Sequence, residues 1–221
     1  MSTVINAFSL VVTSWGLCKS INLELDPSLA KAGPKQFLTN IGAGITIINN
    51  VLAILNNWSL LPTEGLEYFS REILFPLALQ TETVIAGVYW PLRLFWIHLI
   101  MHNIKDGKSP IPLPVDLSIH LVPILTLLIE YYGVRKTPFQ VSAYVVWILT
   151  FIISILYNFW LKTIIDVENG QVYPYPFLSI PEPQVTFVFV GITTIGCLSF
   201  LAYKYSHPGR RTPSLKQQKL Q

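Results

Sequence analysis

The segment at residues 114–132, PVDLSIHLVPILTLLIEYY, constrains this chain more than any other. As a helix it runs about 28 Å at roughly 1.5 Å per residue, close to the hydrocarbon core of a bilayer. Two groups that hydrocarbon rejects, Asp116 and His120, sit inside it at i, i+4, and so on one helical face. Lipid solvates neither charge, so both are expected to face protein or water. The plainer reading of His120 is a packing histidine near an interface.

Five further apolar segments accompany it, so the expected spans cover residues 4–18, 37–57, 72–101, 114–132, 139–161 and 184–205. The third is too long to stand upright, and Pro76 and Pro91 offer kinks. Only 12% of residues are charged, against about a quarter in soluble domains, and 52% are hydrophobic. The expected fold is therefore all-α, a polytopic membrane bundle of six transmembrane helices. There is no basic stripe or recognition motif for nucleic acid. Cys18 and Cys197 make no disulfide framework and read as small apolar residues. The N-terminus lacks a basic leader and a small-residue cleavage site, so it reads as a retained first span. Residues 206–221 read as a disordered basic tail. The loop lysines and arginines, with Arg210, Arg211, Lys216 and Lys219 in that tail, place both termini in the cytosol. The sequon Asn57-Trp58-Ser59 then faces the cytosol and stays unmodified.

Successive spans reverse direction, so the starts of spans two, four and six share a side with the ends of one, three and five. That rule brings Thr39 and His120 into one leaflet, with Arg93, His98 and His102 at the end of span three. It also brings in the loop Tyr173-Pro174-Tyr175-Pro176-Phe177, a stiff aromatic candidate lid. Glu82, deep in span three, is expected to be protonated or hydrogen-bonded inside the bundle, and Glu130 to snorkel at the other interface. Lys162 and Asp166 also read as interfacial. His98 and His102 have a metal-ligand spacing on a helix, but no carboxylate or cysteine cluster completes a site, and no metal or other cofactor is expected. Serine-hydrolase elbows, phosphate loops and dinucleotide fingerprints are absent.

Several local patterns occur in a telling order: Lys35-Gln36-Phe37-Leu38-Thr39, Leu74-Phe75-Pro76, Ile119-His120 followed by Leu128-Ile129-Glu130, and Val172-Tyr173-Pro174. With size and layout, these resemble the multi-pass membrane family of the androgen-induced gene and the androgen-dependent TFPI-regulating protein. The resemblance spans nearly the whole chain. It departs at Pro123, which closely follows the histidine, and in the doubled Tyr-Pro of residues 173–176. Members are described as threonine hydrolases that cleave fatty acid esters of hydroxy fatty acids within the membrane. The resemblance implies Thr39 as nucleophile and His120 as base.

A threonine hydroxyl needs such a base to attack an ester. Asp116, one turn before His120, has the spacing to fix the imidazole tautomer, as the acid does in a serine triad. Arg93 and Asn40 are candidate oxyanion donors. The plain alternative for Thr39 is a helix cap or a bond to a backbone carbonyl. The expected partners are a lipid ester and the bilayer, in the endoplasmic reticulum or the plasma membrane. The competing class is a non-catalytic lipid-binding or transport protein, with Glu82 and Arg93 as its intramembrane charges.

Overall fold

The structure, a computed structural model, describes residues 1–102, 104 and 109–210. Among these residues, six helices are long and apolar enough to cross a membrane: α1 Ser2–Ile21, α2 Leu38–Asn57, α3 Glu64–Phe95, α4 Leu113–Val134, α5 Ala143–Ile164 and α6 Gln184–Ser206. No strand occurs among the described residues. Lys105, Lys108 and the tail beyond Arg210 lie outside them.

The burial pattern identifies the solvent. Helix α1 buries Asn6, Ser9, Thr13 and Gly16, a polar and small-residue face at helical spacing. Its large apolar residues point outward, with Val4 71% and Val11 68% exposed. In water that arrangement would be inverted. In lipid it satisfies both sides, because polar groups bond one another inside while apolar groups meet acyl chains. Helix α5 behaves similarly, since only Val146 and Leu161 are buried along its length.

Helix α1 packs against α2 and α4, and α3 lies at the centre against α2, α4 and α6. Helix α5 attaches mainly through α6. The main core gathers Phe75 and Leu79 from the middle of α3, Leu127 and Tyr131 from the end of α4, Phe200 near the end of α6, and Phe139 from the stretch before α5. A smaller cluster of Ala32, Leu161, Ile165, Leu178 and Val185 closes the opposite end, beneath the aromatic loop.

Some boundaries differ from the sequence reading. The third helix begins at Glu64, capped by the Thr63 side chain, and ends at Phe95. Its first turns are polar and escape an apolar search. At its end Trp96 leaves helical geometry at φ −143°, ψ 52°, and the apolar residues beyond it form a short turn, Ile97–Leu99. Phe139 and Val141, expected in the fifth helix, precede it and enter the core from a loop. The order at the C-terminus continues past residue 205. Ser206 closes α6, and the His207 ring, nearly fully buried, lies 3.0 Å from Tyr131 O and 3.1 Å from Arg135 O.

Candidate active site

The chain turns into α2 through Gly33, whose φ of 69° suits glycine, and a short Pro34–Gln36 turn. Phe37 is extended and occupies the cap position without a side-chain cap bond, so α2 starts at Leu38. Thr39 falls in the first turn, buried. Its hydroxyl is not spent on a cap: Oγ1 lies 3.2 Å from His120 Nε2.

His120 comes from α4, whose start is set by Pro112 at the cap and Pro114 in the first turn. The helix breaks at Leu121, immediately after the histidine. Pro123 has no N–H for the carbonyl of Ile119, which accounts for that break. Asp116 sits one turn back and fully buried, with Oδ1 2.8 Å from His120 Nδ1. Nδ1 also lies 3.2 Å from the Asp116 carbonyl. A carboxylate and a carbonyl can only accept here, so Nδ1 carries the proton and Nε2 presents its lone pair to Thr39.

Helix α3 fixes this pair from the side. The Tyr89 hydroxyl donates to Asp116 Oδ1 at 2.5 Å, and its ring stacks on His120 at 3.5 Å, nearly parallel. Arg93 Nε lies 3.3 Å from Asp116 Oδ2. Trp90 Nε1 donates to the His120 carbonyl at 3.1 Å. One buried carboxylate thus serves three donors, which offsets its desolvation.

The aromatic loop covers the site. Tyr175 lies over the first turn of α2, with Leu38 and Thr39 nearest its phenol. Burial pushes the Tyr175 phenol above its usual 10.0, and the nearby polar groups of Thr39 and Leu38 oppose the shift. Phe177 stacks on Tyr175, and Tyr173 packs on the smaller core cluster. His102 secures the loop, with Nε2 2.8 Å from Tyr173 O. His98 is exposed in the turn after α3, so the two histidines do not share a helical face. Among the described residues, no cluster of three or more His, Cys, Asp or Glu could hold a metal.

Asn40 turns away from Thr39. Its amide donates to Pro34 O at 2.9 Å, and Ser20 donates to its oxygen at 2.9 Å. Arg93 is committed to Asp116, so neither candidate oxyanion donor faces Thr39 in this arrangement. Glu82 is fully buried and accepts from Thr46 at 2.9 Å. Glu130 does not snorkel: Ser2 donates to it at 2.6 Å, tying α1 to α4 at the far end. Lys162–Glu182 and Lys31–Asp166 form exposed ion pairs at the rim of the site. Both cysteines are free, with Cys197 buried.

A cavity of about 1040 Å³, walled mainly by aliphatic and aromatic groups of α1, α2, α3, α5 and α6, reaches the first turn of α2 at Leu38 and Asn40, the neighbours of Thr39, while Thr39 and His120 themselves do not line it. Leu38, Asn40 and Tyr175 line it at the level of Thr39.

Tyr89 and Trp90 escape the sequence reading. Tyr89 was available to it, because it lies one turn before Arg93 on the same face of α3. The stacking of its ring on His120 carries no sequence signal.

The fold and this arrangement define a class: a multi-pass membrane helix bundle holding a buried Thr–His–Asp chain of contacts beside an apolar cavity. The model of the FAR-17a/AIG1-like protein family matches residues 2–206, and the chain belongs to that family. It is 38% identical over 213 residues to the UPF0641 membrane protein YHR140W of Saccharomyces cerevisiae, covering 92% of this chain and 89% of that one. It is 27% identical over 175 residues to the UPF0641 membrane protein PJ4664.05 of Schizosaccharomyces pombe, covering 78% and 74%. No solved structure matches the chain.

Proposed function

We propose that this protein is an intramembrane lipid ester hydrolase, with Thr39 as nucleophile and His120 as general base. The observation that carries the reading is the contact chain Thr39–His120–Asp116, at 3.2 and 2.8 Å, next to an apolar cavity. Substrates of the family's resemblance, fatty acid esters of hydroxy fatty acids, suit a cavity at the upper end of ordinary ligand-site volumes.

In the first half-reaction Thr39 Oγ1 attacks the ester carbonyl as His120 Nε2 takes its proton. The carbonyl oxygen becomes an oxyanion. The N–H groups of Asn40 and Ile41 are already given to Phe37 O. Those of Leu38 and Thr39 lie at the open end of the helix facing Tyr175, and they are the donors an oxyanion at Thr39 would meet there. Collapse expels the alkoxide, which takes the proton from His120 and leaves as the hydroxy acid. Water then attacks the acyl-threonine, His120 again takes the proton, and collapse returns it to Thr39 Oγ1 with release of the free fatty acid. Asp116 holds the imidazole in one tautomer and stabilises the imidazolium in both halves.

The reading includes an endoplasmic reticulum location with both termini in the cytosol, placing the loop at residues 171–180 on the lumenal side. An alkyl fluorophosphonate tests the chemistry without a chosen substrate. Wild type should be phosphonylated at Thr39 Oγ1, located by mass spectrometry, and His120→Ala should not. Absence of labelling in folded wild-type protein would favour a lipid carrier.

A further inference from the structure

The cavity has a direction and an end. Along α5 it runs from Trp160 to Thr150, about 15 Å at roughly 1.5 Å per residue. Along α6 it runs from Phe189 to Gly196, and along α2 from Leu38 to Ile45. Given the alternating direction of the helices, Leu38, Trp160 and Phe189 stand at the level of Thr39. Ile45, Thr150 and Gly196 stand at the other end, near the middle of the bilayer.

That far end is braced. Gln80 Nε2 donates to Gly196 O at 2.8 Å, and Thr150 Oγ1 donates to Gln80 Oε1 at 3.3 Å, joining α3, α5 and α6. A Cβ placed on Gly196 would meet Thr150 Cγ2 at 3.5 Å and Val84 Cγ2 at 3.6 Å, both cavity-lining residues. The absent side chain of Gly196 is therefore part of the cavity's depth. The sides are less closed. Leu156 and Ile153 line the cavity yet are exposed toward the bilayer, 59% and 36%. A chain can thus enter sideways from lipid, and at the far end it meets Gly196, Thr150 and, one turn deeper on α3, Leu77.

We infer that this cavity is an acyl-chain ruler whose floor is set by Gly196. This rests on the hydrolase reading for the position of the ester and on the cavity alone for the length. An extended chain advances about 1.2 Å per bond, since three backbone bonds span roughly 3.5 Å. A depth of about 10 Å along α2 and α6 and about 15 Å along α5 therefore holds an acyl segment of about 9 to 12 carbons between the level of Leu38 and that of Gly196. A longer chain must bend or leave its end in the bilayer.

The test uses purified full-length protein in detergent, with p-nitrophenyl esters of 4 to 16 carbons for turnover. Binding of the free fatty acids of 8 and 12 carbons is measured by calorimetry. Wild type should peak between 8 and 12 carbons. Gly196→Leu should lose at least tenfold more kcat/KM on the 12-carbon ester than on the 4-carbon ester, and bind dodecanoate at least tenfold more weakly than wild type does. Gly196→Ala, whose methyl fits at ordinary contact distance, should shorten the optimum by about one carbon, which guards against misfolding of the larger variant. Gly191→Leu is the control on the same helix, because a Cβ there meets nothing within 4 Å. An unchanged length profile in both Gly196 variants, with esters still cleaved, overturns the ruler and leaves the hydrolase. Length-dependent binding that responds to Gly196, without turnover of any ester, overturns the hydrolase and leaves the ruler.

Discussion

Asp116→Asn is the change whose consequence follows most directly from the geometry. The carboxylate accepts from His120 and Tyr89 at Oδ1 and from Arg93 at Oδ2. Asparagine supplies one acceptor oxygen and two N–H groups in the same space. With its oxygen toward His120, its N–H groups face the Arg93 guanidinium. With its oxygen toward Arg93, an N–H faces His120 Nδ1, which must then accept and move its proton to Nε2. Nε2 would confront the Thr39 hydroxyl as a donor, and the base would be gone. Burial makes the arginine clash costly, so the second orientation wins. An inverted tautomer in a triad lowers turnover by about 10⁴-fold, or roughly 5 kcal/mol at 1.36 kcal/mol per decade. The assay is hydrolysis of a lipid ester by purified protein, with thermal unfolding of both proteins recorded in the same detergent. A folded Asp116→Asn protein within tenfold of wild-type kcat would refute the tautomer argument. Tyr89→Phe keeps the ring stack and removes one donor, so it should cost about tenfold or less.

Other expectations follow from single contacts. A Cβ on Gly16 would lie 2.0 Å from Ser118 Oγ and 2.9 Å from Ile119 Cγ2, so Gly16→Ala should separate α1 from the segment carrying His120. Overpacking of this kind costs about 1–3 kcal/mol and should appear as a lowered Tm in detergent. His102→Ala removes the bond to Tyr173 O, a loss of about 1 kcal/mol, and should speed deuterium exchange in residues 171–178 while the helices exchange as before. The bond from Asn169, then that from Lys31, holds the exposed Asp166 carboxyl below its usual 3.8. Because the folded value is depressed, this stabilisation is present above 3.8 and is lost as pH falls through the folded value. Loop exchange in residues 166–171 should therefore rise at acid pH in wild type and show no such step in Asp166→Asn.

The fold was legible because lipid imposes length and polarity on every span, and six apolar runs were visible without any knowledge of packing. The ends were harder. The polar first turns of α3, with Glu64, Glu67 and Arg71, do not look like a membrane helix, although they continue one. Conversely, the apolar residues after Phe95 leave the helix at Trp96 through a backbone change that hydropathy does not register. In the site, helix parity and the i, i+4 rule placed Thr39, His120, Asp116 and Arg93 on one side, and they do meet there. Side-chain direction was out of reach. Arg93 turns to Asp116 and Asn40 turns to Pro34, so neither aims at Thr39. The cavity too was invisible, because it is made by what α2 and α5 leave unfilled between them.

The most direct measurement is release of free fatty acid from a fatty acid ester of a hydroxy fatty acid, by purified wild type and by Thr39→Ala in the same detergent. Wild type should release free acid and the variant none above background, with both proteins folded. Equal release by the two would contradict Thr39 as nucleophile, and no release by either would contradict hydrolysis of this ester class.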